Sequence, residues 1–235
     1  KSDSLINNDI KDENLNIILF AIGDSLTEGV GDENLRGGYV PILGTYLENE
    51  YNPTTIKIYN NGKSGDKTYQ IVKRIDESKE IQEELKEATI ITITIGGNDL
   101  IAIVKDNILN DTVVDKVESS KDEYINNLNI LYNTIRKYNT NCPIYQLGIY
   151  NPFYLYFQDI TQMQYMVDFW NGITYDFIKK QNNAFFVPIN DKMYEGTGLK
   201  NENDLLSQED YFHPNYQGYQ IIANEFKEII VSTNK

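Results

Sequence analysis

Residues 17–27 read IILFAIGDSLT, an apolar run that ends in glycine and is followed by aspartate, serine, leucine and threonine. The run at residues 17–22 lacks polar alternation, which is typical of a strand covered on both faces in a parallel sheet. A turn rich in Gly, Asp and Ser directly after such a strand favours a strand-to-helix junction. This stretch therefore predicts the first strand of an α/β fold.

Four more apolar runs rich in Ile, Val and Thr predict further strands, at residues 56–59, 89–95, 144–147 and 184–188. Segments with helical periodicity lie between and after them, at residues 39–49, 68–78 continuing towards 88, 121–138, 165–181 and 215–230. This alternation predicts a three-layer α/β/α sandwich around a five-stranded parallel sheet of flavodoxin-like type. A ligand crevice should lie at the carboxyl ends of the strands.

The composition is that of an ordinary globular chain, with 235 residues of which 40% are hydrophobic and 24% charged. A chain of this length buries enough surface to fold without staples. No repeat or Pro/Gly/Ser-rich linker divides it. We therefore expect a single domain at residues 17–235 after a polar arm at residues 1–16, with looser inserts at residues 100–120 and 191–208.

The charge balance excludes some partners. The chain has 21 Lys and Arg against 35 Asp and Glu, a net charge of −14. Such a surface repels phosphate backbones and anionic lipid headgroups, so we expect no nucleic-acid partner. The longest apolar run is far shorter than the roughly 20 residues of a membrane-spanning helix, so no transmembrane segment is expected.

The compartment is only loosely indicated. The single cysteine, Cys142, forms no internal disulfide, and such chains occur on both sides of a membrane. The chain begins at Lys1 rather than Met, so a signal or lipid anchor could precede it. We expect a bacterial protein that is extracellular or tethered outside the membrane. A cytoplasmic enzyme without its first residues would have the same sequence.

The turn after the first strand offers a candidate nucleophile. Ser25 stands where a helix begins, near the positive end of the helix dipole, and this position suits a nucleophilic hydroxyl. Serine also caps helices very often, so the motif alone leaves both interpretations open.

His213 is the only histidine of the chain, and Asp210 precedes it by three residues. A neutral imidazole can accept the proton of a serine hydroxyl, and a carboxylate can hold the other ring nitrogen. The alternative is a histidine in a surface turn before the last helix. Together with Ser25, however, the pair supplies every side chain of a serine triad.

Two further loops offer oxyanion donors. Gly65 lies in NNGKSGDKT at residues 60–68, and Asn98 lies in GGND at residues 96–99. A backbone N–H at Gly65 and the side-chain amide of Asn98 could both point into the crevice. Each loop alone is better explained as an ordinary turn. Their succession at strand ends favours a catalytic site.

These four blocks resemble those of the SGNH or GDSL family of serine esterases, lipases and acylhydrolases. Ser25 resembles the nucleophile, Asp210 and His213 the acid and base, and Gly65 and Asn98 the oxyanion donors beside the Ser25 backbone N–H. The resemblance covers residues 25–213. It implies the three-layer fold with a five-stranded parallel sheet. It also implies ester hydrolysis through an acyl-enzyme, without a metal or an organic cofactor.

The sequence contains neither a P-loop nor the nucleophile elbow of the α/β-hydrolases. Gly62, Lys63 and Ser64 resemble the end of a P-loop, but Lys57 stands where that motif needs a glycine. The chain has no G-x-S-x-G elbow, which disfavours the larger α/β-hydrolase fold.

Aromatic residues are concentrated between residues 145 and 170, and the chain has 18 tyrosines. Such a cluster is typical either of a core or of a platform for sugars and acyl chains. We expect the segment 150–166, with Tyr150, Phe153 and Tyr154, to form one wall of the substrate pocket. The expected substrate is a small ester, a lipid or an acylated sugar, and the expected state is a monomer.

Two alternatives to a general esterase remain. A carbohydrate O-acetyl esterase would use the same mechanism. A module that only binds a glycan or lipid would use the same fold without catalysis.

Overall fold

One parallel sheet forms the centre of the fold. The computed structural model describes residues 15–107, 111–155 and 161–234. The five strands of the sheet are β1 (Asn16–Gly23), β2 (Thr55–Gly62), β3 (Ile90–Thr94), β4 (Ile144–Leu147) and β5 (Ala184–Val187). Their order is β2-β1-β3-β4-β5, and every neighbouring pair is parallel. The five predicted strands and the flavodoxin-like α/β class are confirmed.

Helices cover both faces of this sheet. In the described part of the chain they are α1 (Ser25–Glu28), α2 (Tyr39–Tyr51), α3 (Thr68–Glu77), α4 (Lys79–Glu87), α5 (Gly97–Asn107), α6 (Val113–Ser119), α7 (Lys121–Tyr138), α8 (Thr161–Ile178), α9 (Asn190–Met193) and α10 (Tyr216–Thr233). None of these helices combines the length and the apolar character that crossing a bilayer requires.

The side chains of β1 explain why its sequence is apolar at residues 17–22. Phe20 and Ile22 enter the core on the face that carries α3, α7 and α8. Leu19 and Ala21 enter the core on the opposite face, which carries α2 and α10. Because this part of β1 lies between two helical layers and exposes neither face, its positions are apolar.

Three expectations about local structure are corrected. The insert predicted at residues 100–120 contains most of α5 and all of α6, because Leu100, Val113 and Val117 are buried in the core. The insert at 191–208 overlaps α9 and buries Leu205 and Leu206. The long helix predicted from residue 68 towards 88 is two helices.

Ser78 is the reason for that division. It ends α3 in an extended conformation and begins α4, where its hydroxyl accepts a hydrogen bond from the N–H of Ile81 at 3.3 Å. An N-cap of this kind starts a new helix rather than continuing the old one. Residues 1–14 of the predicted polar arm lie outside the described residues, and β1 already begins at Asn16.

The strand order positions the crevice. The chain adds β2 on one side of β1 and β3 on the other, so the connections leave β1 and β3 in opposite directions across the sheet. At such a switch point the carboxyl ends of the two central strands border an open crevice. Ser25 follows β1 and Asn98 follows β3, so both residues lie at its edge.

The packing of α7 gives a direct test of this architecture. Leu131 is fully buried in the core on one side of the sheet, whereas its neighbour Ile130 is 44% exposed. We expect Leu131→Ala to lower the free energy of unfolding by about 2–5 kcal/mol, because it leaves a core cavity. Ile130→Ala is the matched control and should cost less than about 1 kcal/mol. Urea unfolding would measure both, and equal losses would contradict the assigned face of α7.

Candidate active site

The turn that carries Ser25 is fixed by its junction with β3. The Asp24 carboxyl caps α1 by accepting the N–H of Leu26 at 3.0 Å, and the same oxygen accepts the hydroxyl of Thr94 at 2.9 Å. A Cβ at Gly23 would lie 2.3 Å from the Thr94 hydroxyl oxygen, so only glycine fits there. The direction in which Ser25 leaves the strand is therefore determined by β3 as well as by β1.

Ser25, His213 and Asp210 form a continuous chain of hydrogen-bonding atoms. Oγ of Ser25 lies 3.0 Å from Nε2 of His213, and Nδ1 of His213 lies 2.5 Å from Oδ2 of Asp210. The other carboxyl oxygen of Asp210 accepts the backbone N–H groups of Phe212 at 2.9 Å and His213 at 3.0 Å. The structure thus brings together the three residues predicted as the triad.

The charge state of Asp210 suits an orienting carboxylate. Burial raises the pKa of this carboxyl, but the hydrogen bonds from His213 and from the two backbone N–H groups outweigh burial and lower the pKa below its ordinary value. An ionised carboxylate at Nδ1 fixes the imidazole tautomer that leaves Nε2 free to accept a proton from Ser25.

The loop that carries His213 is held from two sides. The carbonyl of His213 accepts the backbone N–H of Ser207 at 2.7 Å, and the hydroxyl of Tyr150 donates to the carbonyl of Phe212 at 2.7 Å. Gly31 lies against this loop, because a Cβ there would come within 2.5 Å of the carbonyl oxygen of Pro214 and 2.8 Å of Cβ of His213. Tyr150 therefore also supports the histidine loop, which the sequence did not indicate.

The two predicted oxyanion donors lie in adjacent loops. The side-chain nitrogen of Asn98 donates one hydrogen bond to the carbonyl of Asp66 at 3.0 Å. Since a primary amide has two N–H groups, the second is available to a ligand. Gly65 has a φ of +84°, which favours glycine, while an added Cβ would meet no atom of the described residues within 4 Å.

A clamp that sequence reasoning missed joins these loops to the sheet. Nε of Arg74 donates to the Asp66 carboxylate at 2.6 Å, and Nη2 of Arg74 donates to the carbonyls of Gly23 at 3.2 Å and Asn61 at 3.1 Å. One guanidinium thus connects the ends of β1 and β2 with the loop between Gly65 and α3. No motif marks Arg74, because a charged residue on an amphipathic helix normally faces solvent.

A small cavity of about 60 Å³ opens beside Ser25. Asp24, Ser25 and Asn98 are among its polar lining residues. Its apolar walls come from α5, from the loop after β4, from α8 and from the histidine loop, and the apolar residues include Leu100, Ile101, Ile149, Pro152, Met163, Val167 and Phe212. Leu26, Thr94 and Tyr150 also line it.

Only part of the predicted aromatic wall reaches this cavity. Tyr150 lines it, but Phe153 and Tyr154 are not among the described lining residues. The ring of Phe153 packs against Phe212 with 5.9 Å between ring centres, and Tyr154 packs edge-on against Tyr194 at 4.5 Å. Residues 156–160 of the predicted wall lie outside the described residues.

Other aromatic residues of the cluster belong to the core. Trp170 is 1% exposed, stacks on Tyr124 at 4.3 Å and donates from Nε1 to the carbonyl of Gly96 at 3.0 Å. Trp170 therefore holds the backbone of the loop two residues before Asn98. Within the described ranges, no group of three or more His, Cys, Asp or Glu side chains is arranged to hold a metal ion.

Asp24 is the most perturbed carboxyl near Ser25. It is 5% exposed, and burial raises its pKa from 3.8 to about 7, although the hydrogen bonds from Leu26 and Thr94 oppose that rise and the charge of Asp99 adds to it. Between pH 3.8 and about pH 7, the Asp24 carboxyl of the folded protein keeps a proton that it has released in the unfolded chain. The contribution of Asp24 to stability is therefore complete below pH 3.8 and declines as the pH rises through about 7.

We expect Asp24→Asn to reduce this pH dependence, because the amide oxygen can accept the same hydrogen bonds and cannot ionise. Urea unfolding of the wild type and the variant at pH 5 and pH 8 would measure it, with the wild type losing more stability over this interval. An equal loss in both proteins would show that Asp24 ionises in the folded state as readily as in the unfolded chain.

The Arg74 clamp gives a second test. Arg74→Lys keeps the positive charge. Its single ammonium group cannot contact the Asp66 carboxylate and both carbonyls at once, as the planar guanidinium does. We expect kcat to fall by roughly 10- to 100-fold, because the loops of Ser25 and Gly65 lose their relative position. Lys73→Arg, at the exposed neighbouring position of α3, is the control and should keep wild-type activity with any ester the protein cleaves. Unchanged kcat in Arg74→Lys would contradict a positioning role.

Comparisons with known proteins place the chain among relatives. A family model described as the GDSL-like lipase/acylhydrolase family matches residues 21–221. The chain is 31% identical over 214 residues to the uncharacterised protein YpmR of Bacillus subtilis strain 168, covering 91% of this chain and 81% of that protein. It is 26% identical over 220 residues to the spore germination lipase LipC of Bacillus licheniformis, covering 88% of this chain and 93% of LipC.

Solved structures share the fold. The lipase Lip_vut3 from a goat rumen metagenome has a TM-score of 0.71 at 24% identity, covering 90% of this chain and 96% of that one. Axe2, an acetylxylan esterase from Geobacillus stearothermophilus, has a TM-score of 0.67 at 22% identity, covering 91% and 94%. At identities of 24% and 22%, these matches show that the chain and the two structures have the same fold.

Proposed function

Because the chain belongs to the GDSL-like lipase/acylhydrolase family, we propose that it is a serine esterase that cleaves carboxylic esters through an acyl-enzyme on Ser25. Family membership makes the chain an ester-hydrolysing enzyme. The identity of the nucleophile and the course of the reaction are the parts that we propose.

In the first half of the reaction Ser25 attacks the ester carbonyl carbon while Nε2 of His213 accepts the hydroxyl proton. The carbonyl oxygen of the ester becomes an oxyanion, which accepts hydrogen bonds from the backbone N–H groups of Ser25 and Gly65 and from the second amide N–H of Asn98. The imidazolium of His213, paired with Asp210, then protonates the leaving alcohol as the carbon–oxygen bond breaks. The acyl group remains on Ser25.

In the second half a water molecule replaces the alcohol. His213 accepts one proton of the water as its oxygen attacks the acyl carbon, and the same donors hold the second oxyanion. When this intermediate collapses, His213 returns the proton to Oγ of Ser25 and the carboxylic acid leaves. Every proton transfer involves the single histidine of the chain.

The observation that carries this proposal is the chain from Oγ of Ser25 to Nε2 of His213 at 3.0 Å and from Nδ1 to Asp210 at 2.5 Å. A module that only binds a ligand has no need of an aligned base and an ionised partner. The names of the relatives, a lipase and an acetylxylan esterase, are compatible with either a lipid or an acylated sugar as substrate.

The proposal is tested by hydrolysis of p-nitrophenyl esters from acetate to palmitate. We expect Ser25→Ala and His213→Ala each to lower kcat/KM by about ten-thousandfold, because the members of a triad act as a unit. Ser232→Ala near the end of α10 is the matched control and should keep wild-type rates. Near-wild-type activity in Ser25→Ala would overturn the mechanism.

A wild type that cleaves no ester of the series would require acylated glycans to be tested next. If these also remain intact while still binding, the interpretation as a binding module replaces the proposal. An acyl-enzyme should also be visible directly, as a mass increase on the peptide that contains Ser25 after brief exposure to substrate.

A further inference from the structure

We propose that the cavity beside Ser25 is the acyl site, and that its volume and apolar walls select straight acyl groups of about four to six carbons. This inference rests on the proposed function, since it needs Ser25 as the nucleophile. It adds the substrate class, which neither the triad nor the family determines.

The position of the cavity identifies which part of an ester it receives. The leaving alcohol must lie next to Nε2 of His213, because the imidazolium protonates it. Ser25 and Asn98 are among the described residues that line the cavity, whereas His213 is not. The cavity therefore extends from the reacting carbon on the side away from the leaving group, which is where the acyl chain lies.

The volume of the cavity limits the length of the chain. A water-sized group needs about 10–15 Å³ of this kind of volume. About 60 Å³ therefore accommodates roughly four to six groups of the size of a methylene. An acetyl group leaves most of this space unused, and a palmitoyl chain exceeds it several times over.

The walls of the cavity favour hydrocarbon over polar groups. Beyond Asp24, Ser25, Thr94 and Asn98, they consist largely of aliphatic side chains, a proline ring and the rings of Tyr150 and Phe212. Each methylene that moves from water into such walls should raise kcat/KM roughly fourfold until the cavity is full. The expected profile therefore rises from acetate to about hexanoate and falls beyond it.

Two packed helices keep the cavity from expanding. Leu100 of α5 and Val167 of α8 are each 1% exposed, and both belong to the continuous core on that face of the sheet. The stacking of Trp170 on Tyr124 anchors α8 next to Val167. Since packed interiors resist deformation, a chain longer than the cavity is not accommodated by outward movement of these helices.

Variants of the wall test this directly with the p-nitrophenyl ester series. Met163→Ala enlarges the cavity by roughly two to three methylene volumes. We expect it to raise the ratio of kcat/KM for octanoate to that for butanoate at least fourfold. Val167→Ile adds one methylene to the wall and should lower the ratio for hexanoate to butanoate about fourfold.

Ile173→Ala is the matched control. Ile173 lies on the same helix as Met163, is equally buried at 5% exposure and does not line the cavity. A general loss of packing would lower the rates of Ile173→Ala and Met163→Ala alike without changing the profile. A change of profile in Met163→Ala alone supports the acyl site.

The outcomes separate this inference from the proposed function. A wild-type optimum at acetate or at palmitate, or profiles that Met163→Ala and Val167→Ile leave unchanged, would overturn the acyl site while the triad stands. Activity that survives Ser25→Ala would overturn the proposed function itself. A thermal unfolding curve of each variant verifies that every protein compared is folded at the assay temperature.

Discussion

The site depends on the contact between the carboxyl ends of β1 and β3. The backbone N–H of Asp24 donates to the carbonyl of Thr94 at 3.1 Å, which continues the sheet beyond the last residue of β1. There is no room for a side chain at Gly23, so the two strand ends meet backbone to backbone. Ser25 follows immediately, and the start of α1 turns its hydroxyl towards the crevice.

The remaining loops are attached to this junction and to one another. The carbonyl of Asp66 holds the amide of Asn98, while the carboxylate of Asp66 holds Arg74, which in turn binds the end of β1. Thr68 at the start of α3 donates from its N–H and its hydroxyl to Asp99 at 3.1 and 3.0 Å. Donors fixed by such a network need little rearrangement when an oxyanion forms, and this preorganisation is a main source of catalytic rate.

The sequence was informative where one local rule decides the outcome. The inner strands β1, β3 and β4 were predictable because burial on both faces leaves a mainly apolar run. The proximity of Ser25, Asp210 and His213 was predictable because the chain has a single histidine with Asp210 three residues before it. Arg74 and the shape of the cavity were not predictable. They depend on how α3, α5 and α8 pack, and that packing involves residues distant in sequence. The partial failure of the aromatic wall has the same cause, since the Phe153 ring lies against Phe212 rather than in the cavity.

Asp24 connects the stability of this junction with the chemistry beside it. Burying a carboxyl is costly when it is charged, and here burial raises its pKa to about 7, so that the protonated form is favoured below that pH. A protonated carboxyl still accepts the N–H of Leu26 and the hydroxyl of Thr94. It does so without a negative charge next to Ser25, where the proposed mechanism forms an oxyanion from the carbonyl oxygen of the ester. The residue that joins the two strands is therefore compatible with anionic chemistry because it is buried.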